Sequence, residues 1–310
     1  MFRANARDVA ASRSGESGPS ALLGVGLLAL SSVVLSCLDA SSKWTMGEGG
    51  PLLLVAWFRY AMHLVLVVGI FMPTRGRSLF RSTVPHRQVL RGVLMLGATL
   101  CVFMALSYLP QAQFTAIAFL APLLVLCAAP WLLGERPRLS RWVAAGVAFL
   151  GVLVIVRPSG GLHPIGVLFA LLAACLLAGQ FIATRGIARD HPLTSLVWSG
   201  MVGTCLLSLL LPFYGLGRLQ AELATLPPAV WLVMLSTGLS GALGHLLQIA
   251  AYRHAPASML APYTYLQIVS ATLTGWLVWR QFPDTTTWLG IAMICGSGIA
   301  IAFWEWRHKA

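Results

Sequence analysis

Apolar stretches of about twenty residues recur along the chain from Ala21 to Trp304, each long enough to cross a bilayer as a helix. Ten are legible, at roughly 21–43, 52–72, 89–109, 113–133, 141–157, 164–184, 194–214, 229–252, 257–279 and 288–304. Short polar connections separate them. The pattern predicts an all-α polytopic membrane protein with ten transmembrane helices. Residues 1–20 are polar and read as a disordered cytoplasmic tail. A basic tail before an apolar run also describes a signal peptide, but this run exceeds signal length and shows no clear small-residue cleavage site before Asp39. Residues 305–310 form a second short tail.

Composition agrees with that pattern. The chain is 58% hydrophobic and 10% charged, with a mean hydropathy of +0.81, whereas a soluble domain carries about 25% charged residues. The net charge of +12 raises the question of nucleic acid, and its placement answers it. With the N-terminus inside, 16 of the 21 Lys and Arg fall on inner segments, Arg91 counted among them. Lys43, Arg157, Arg218 and Arg280 fall outside. That bias follows the positive-inside rule and predicts both termini in the cytoplasm, so the charge is topological and nucleic-acid binding is not expected. The six cysteines lie inside predicted spans without paired spacing and read as small packing residues.

The chain also repeats itself. A shift of 146 sets residues 89–157 on 235–303, so that Gly92 meets Gly238, Ala105 meets Ala251, Pro110 meets Pro256, Pro137 meets Pro283 and Trp142 meets Trp288. A second register, shifted by 142, sets Gly24 and Val25 on Gly166 and Val167, and Lys43 on Arg185. The organisation is then a tail (1–20), a five-helix repeat (21–157), a second repeat (164–304) and a tail (305–310). Five is odd, so the second repeat is expected upside down relative to the first. Inverted repeats about a midplane site are an architecture of alternating-access transporters.

The stretch ALSYLPQAQFTAIAFLAPLLVLCAAPWLLGERPRLSRW (105–142) resembles the EamA-type repeat of the drug/metabolite transporter superfamily, with Pro122, Gly134, Glu135 and Trp142 at its marked positions. The second half departs from it, having Ile268 against Pro122 and Gln281 against Glu135. The resemblance implies ten helices, two inverted repeats, a central cavity and secondary transport of a small organic metabolite such as an amino acid, a vitamin or a nucleoside-like compound. It also implies the bacterial inner membrane, no cofactor, and lipids as surroundings, and leaves homodimerisation open. DASSK (39–43) followed by WFRY (57–60) looks more like a subgroup associated with riboflavin or S-adenosylmethionine uptake.

Charges within spans are the candidates for the site, because an ionised side chain in hydrocarbon costs at least about 2.5–3.5 kcal/mol unless compensated. Asp39 and Lys43 lie one turn apart on one face, and Arg59 on the antiparallel second span comes to a similar depth. Either Asp39 and Arg59 fasten two helices as a buried ion pair, or Asp39, Lys43 and Arg59 face a cavity and hold a charged or zwitterionic substrate. Tyr60 and His63 sit beside Arg59. Gln180 and Thr184 share a face of the sixth span. His245, Gln248 and Tyr252 form a polar stripe on the eighth, and the ninth offers Tyr263, Tyr265 and Gln267. Such groups are either interhelical hydrogen bonds or the lining of a shared cavity. The substrate-binding set expected is therefore Asp39, Lys43, Arg59, Tyr60, His63, Gln180, His245, Gln248, Tyr263 and Gln267. Glu135, among Arg136, Arg138 and Arg141, reads as a salt-bridge partner.

Pro122, Pro130, Pro256 and Pro262 fall in or beside spans four and nine and predict bends there. GLSG (238–241) has the form of an intramembrane serine protease nucleophile. His245 lies about 140° round the same helix from Ser240, however, so no base is in reach. Neither a phosphate-binding Gly-x-x-x-x-Gly-Lys-[Ser/Thr] loop nor metal-ligand spacing occurs. The expectation is a secondary carrier, with a lipid or amphiphile translocator on the same scaffold as the alternative and an intramembrane enzyme a distant third.

Overall fold

A computed structural model describes residues 19–132, 139–157, 161–187, 189–255 and 257–307. The tail up to residue 18, the Glu135 cluster with Arg136 and Arg138, Gly134, Pro137, Pro256 and residues 308–310 lie outside the described residues. Among the described residues the structure is helical, with no strand.

The first half runs α1 (Pro19–Gly47), α2 (Leu52–Arg75), a 3₁₀ turn (Gly76–Phe80), α3 (Pro85–Tyr108), α4 (Gln111–Ala118), α5 (Leu120–Leu132) and α6 (Leu139–Val156). The second runs α7 (Pro164–Arg185), α8 (Pro192–Leu210), a 3₁₀ turn (Leu211–Tyr214), α9 (Leu216–Thr225), α10 (Pro228–His254), α11 (Ala257–Leu260), a 3₁₀ turn (Ala261–Tyr265), α12 (Leu266–Trp279) and α13 (Thr285–Arg307). Proline opens α3, α7, α8 and α10, where its missing N–H would have had no helical acceptor and its fixed φ already suits the helix. Between α1 and α2 the chain reverses tightly, with Gly49 at φ +91° and the Gly50 N–H donating to the Thr45 carbonyl at 2.9 Å.

Among the described residues seven helical stretches are long and apolar enough to cross a membrane, and Trp142–Val156 and Thr285–Ile301 are shorter apolar helices. Two stretches expected as single rods are interrupted. The 113–133 rod breaks at Phe119, because Pro122 has no N–H to give the Ala118 carbonyl and its ring crowds that group. At the corresponding place in the second half, Pro262 opens the 3₁₀ turn between α11 and α12. The connection at 215–227 contains a helix, α9, that the hydropathy pattern did not announce.

Packing is reciprocal between the halves. α10 lies along α1 and α3 along α7; α10 also meets α2 as α3 meets α8; α6 pairs with α13. The glycines of the two repeat registers explain themselves here. A Cβ on Gly92 would meet Val202 Cβ of α8 at 2.7 Å, and one on Gly238 would meet Met62 Cβ of α2 at 2.3 Å. Likewise a Cβ on Gly24 would press on Ala255 at 2.9 Å, and one on Gly166 on Leu109 at 2.7 Å. Small residues let membrane helices approach closely, where association rests on packing rather than on hydrophobic exclusion. The largest apolar core centres on Phe103, Leu106, Ile117, Ala174 and Ile268. It shares Val102, Phe114 and Ala121 with the wall of a cavity.

Candidate functional site

The cavity has a volume of about 360 Å³ and is lined from both halves. α1 contributes Leu35, Leu38 and Asp39, spaced three and four residues along one face. α2 brings in Arg59. α3 supplies a stripe at the same helical spacing, Arg91, Met95, Thr99 and Val102. From α7 come Gln180 and Thr184, from α10 His245 and Gln248, and from the start of α12 Gln267. The α4–α5 break turns Phe119 and Pro122 onto the wall. The volume falls in the range of small-molecule sites, about 300–1,000 Å³.

Six of the ten expected residues thus meet on one surface: Asp39, Arg59, Gln180, His245, Gln248 and Gln267. Tyr60 and His63 stand behind it. With Arg59, Ser199 and His245 they line a small adjoining pocket of about 10 Å³, enough for a single water. Tyr60 is buried and hydrogen-bonded to Thr99 at 2.8 Å. The His63 and His245 rings meet edge to face with centroids 6.1 Å apart. His63 also bonds the Leu196 backbone, His245 bonds Gln248, and neither Nε2 finds a partner among the described residues.

Two expectations need correcting on position. Lys43 does not line the cavity: its Nζ donates to the Leu109 carbonyl at 2.6 Å and sits 5.0 Å from the Trp279 ring centroid, because the side chain reaches past the wall to the helix ends. Tyr263 also lies elsewhere, 39% exposed in a separate crevice with Trp288 and Ile291, since the 3₁₀ turn rotates it away from Gln267. In addition, Asp39 and Arg59 share the cavity without forming a hydrogen bond or an ion pair within 4 Å. The GLSG stretch is a packing surface, with Gly238 against Met62 and Gly241 against Leu38.

Arg91 is the residue sequence reasoning assigned to the wrong place. Counted as a loop charge, it is only 8% exposed and forms part of the cavity wall. Its Nε donates to Thr184 Oγ1 at 2.9 Å, and its Nη1 to the Ser195 carbonyl at 3.2 Å and to Ser199 Oγ. The predicted span at 89–109 already contained it, and an arginine two residues inside a span was the signal available.

Below Arg91 the connections are tied by a second polar cluster. Asp190 accepts from Ser82 Oγ, from the Thr83 N–H at 2.8 Å, from Thr83 Oγ1 at 2.7 Å and from Gln88 Nε2 at 2.8 Å. Partial burial pushes its carboxyl up, but the bonds from Ser82, Gln88 and Thr83 outweigh that and hold it well below the usual carboxylate range. Gln88 also donates to Ser195 Oγ at 3.1 Å. Asp190→Ala is expected to lower stability by about 2 kcal/mol, less than four charge-assisted bonds would contribute if fully buried. Because the folded value is depressed, the contribution is complete above the unfolded carboxylate pKa of about 3.9 and fades as pH falls below it. Thermal melts of both proteins between pH 7 and 3 check this: the gap between them should narrow toward acid.

Toward the opposite end the helices are tied together. Besides Lys43 on Leu109, Gln111 Nε2 donates to the Ser36 carbonyl at 2.8 Å and Gln111 Oε1 accepts from Thr274 Oγ1 at 3.1 Å, joining α1, α4 and α12. Arg157 pairs with Asp284, which also accepts from the Thr287 N–H at the start of α13 at 3.0 Å. Phe181 and Thr184, both exposed, mark the rim at the end that carries the 185–191 connection. Among the described residues no group of three His, Cys, Asp or Glu is placed to hold a metal.

A helical membrane protein with a cavity lined by charged and amide side chains from both halves has the architecture expected of a transporter. The chain is a member of the EamA-like transporter family, which it matches over residues 22–157 and 164–303, and accordingly is not an enzyme. It is 30% identical over 281 residues to the pseudopaline exporter CntI of Pseudomonas aeruginosa, covering 90% of this chain and 95% of that one. It is 26% identical over 284 residues to the S-adenosylmethionine uptake transporter of Rickettsia bellii, covering 91% and 94%. The riboflavin transporter of Rhizobium johnstonii is 27% identical over 291 residues, covering 93% and 94%. A protein of known crystal structure matches with TM-score 0.60 at 20% identity, over 92% of this chain and 99% of its own, which shows the fold alone.

Proposed function

We propose that this protein is a secondary transporter of a small organic metabolite in the bacterial inner membrane, working by alternating access on a ten-helix inverted repeat. The observation that carries the reading is the cavity itself, about 360 Å³ lined by Asp39, Arg59, Arg91, Gln180, Gln248 and Gln267 from both halves. Charges and amides gathered from six helices are costly in a bundle unless they meet solvent or a ligand. The glycines paired by the two repeat registers, seating the same helix crossings in each half, support the inverted repeat. So do the two interrupted helices in corresponding positions, since such breaks mark the binding site of repeat-built carriers. The relatives' names, a pseudopaline exporter, an S-adenosylmethionine uptake transporter and a riboflavin transporter, support a small organic substrate and include both directions of transport.

In this reading the structure is an inward-facing state. The end tied by Lys43 and Gln111 is then the outer, closed one, and the rim at Phe181 and Thr184 faces the cytoplasm, as the basic connections of that end favour. Cysteines placed in the 215–227 connection of intact cells should react with a membrane-impermeant maleimide, and those in 74–88 should not. Labelling of 74–88 from outside would overturn the orientation. The function is tested with purified protein in proteoliposomes, after a thermal-shift screen against a metabolite panel that includes riboflavin and S-adenosylmethionine. Saturable flux of a labelled soluble compound is expected. Lipid scrambling without any metabolite flux would instead favour a lipid translocator.

A further inference from the structure

We propose that the cavity takes an aminocarboxylate of net negative charge, with two carboxylates held by Arg59 and Arg91 and one ammonium held by Asp39. The inference rests on the transporter reading and deepens it by naming the substrate class.

The charge count comes first. With each lining side chain counted at its formal charge, Arg59 and Arg91 against Asp39 leave one positive charge uncompensated. Lys43 does not enter the count, since it lies off the cavity wall and is engaged by the Leu109 carbonyl. His63 and His245 change nothing in sign, because protonating either would only add to the excess. A ligand bearing one ammonium and two carboxylates closes the balance.

The free hydrogen-bonding capacity agrees with the charge. Arg59 donates no hydrogen bond to any described residue, and its guanidinium carbon lies 5.7 Å from the Phe103 ring centroid and 5.8 Å from that of Tyr60. Among the described residues none of its five N–H donors meets an acceptor, and its place on the wall turns them to the cavity. Arg91 uses Nε and Nη1 on Thr184, Ser195 and Ser199, and its Nη2 has no acceptor among the described residues. Its partners are neutral, so none of them cancels its charge. They do aim it: the Thr184 and Ser199 hydroxyls give their own protons to the Gln180 and Ser195 carbonyls, at 2.7 and 2.8 Å, and turn their lone pairs to the guanidinium. Asp39 accepts no hydrogen bond from a described residue, so its carboxylate is the acceptor open to an ammonium. The planar fork of Arg59 suits one carboxylate and Arg91 offers Nη2 to a second, while Phe114, Phe119 and Leu177 give an apolar wall for the rest of the molecule.

The test uses three dipeptide probes of similar size, Glu-Phe, Gln-Phe and Lys-Phe, whose net charges are −1, 0 and +1. Binding to the purified full-length protein is measured by calorimetry. Glu-Phe is expected to bind about tenfold or more tightly than Gln-Phe, with Lys-Phe weakest, one charge-assisted contact being the difference. Arg59→Gln brings the cavity to zero and should erase the preference for Glu-Phe over Gln-Phe. This variant should melt close to the parent, since the guanidinium makes no hydrogen bond to a described residue and only the ring contacts with Tyr60 and Phe103 are lost. Asp39→Asn should cease to distinguish Glu-Phe from its N-acetyl derivative. Equal or tighter binding of Gln-Phe or Lys-Phe overturns the proposal, and so does binding of none of the three. The transporter reading is judged separately, by metabolite flux in proteoliposomes, and survives either result if another class of compound is moved.

Discussion

Asp39→Asn is expected to fold like the parent protein and to lose transport. The reason lies in what Asp39 does not do. It sits in the cavity with Arg59 as the opposite charge acting on it, yet no hydrogen bond or ion pair within 4 Å ties it to Arg59 or to another described residue. Removing its charge strands no partner, so the stability change should stay within about 1 kcal/mol, the scale of loosely coupled pairs. A buried pair that fastened α1 to α2 would behave otherwise, losing about 3–5 kcal/mol when one member is neutralised. The double variant, Asp39→Asn with Arg59→Gln, separates the two roles. A structural pair predicts that it recovers both folding and flux; a substrate site predicts that it folds and stays inactive. Arg59→Lys should also be impaired, because an ammonium cannot reproduce the planar fork. The deciding quantity is flux per folded molecule, and near-normal flux in the double variant would sink the binding role.

Gly238→Val should destabilise the protein by about 3 kcal/mol or more, at the upper end of overpacking substitutions. A Cβ at this position would lie 2.3 Å from Met62 Cβ and 3.1 Å from the Phe58 carbonyl oxygen. Neither is the movable end of a side chain, so α10 and α2 would have to separate. Those helices carry His245 and Arg59, and the cavity should deform with them. Gly92→Val, at the equivalent crossing of α3 on α8, should show a loss of the same kind. Gly26→Ala is the control, since nothing lies within 4 Å of a Cβ there. Melting temperatures of the three variants in one detergent check the order: parent-like for Gly26→Ala, clearly lowered for the other two. A parent-like Gly238→Val would show that this crossing is not a close one.

Hydropathy alone was enough for the membrane, the all-helical class and most helix positions, because every backbone polar group in lipid has to be satisfied within its own helix. The glycines that the two registers pair, Gly92 with Gly238 and Gly24 with Gly166, all stand at close helix crossings where an added side chain would clash, which supports the proposed repeat. Asp39, Arg59, Gln180, His245, Gln248 and Gln267 could be picked out as polar groups within apolar runs, and all six line the cavity. Three matters were decided only by the tertiary structure. Periodicity gives a side chain's angle around its own helix, but not which neighbour that angle meets; Tyr263 therefore passed as a cavity residue until the 3₁₀ turn rotated it outward. A long cation can leave its helix face altogether, as Lys43 does in reaching the Leu109 carbonyl. And a charge near a span end counts as topology until the depth of its helix is known. Arg91 moved from the loop to the wall because Thr184, Ser195 and Ser199, about a hundred residues away in sequence, meet around it. One chain's pattern fixes where each helix runs and what it carries; the convergence of distant acceptors on one guanidinium exists only once the helices are packed.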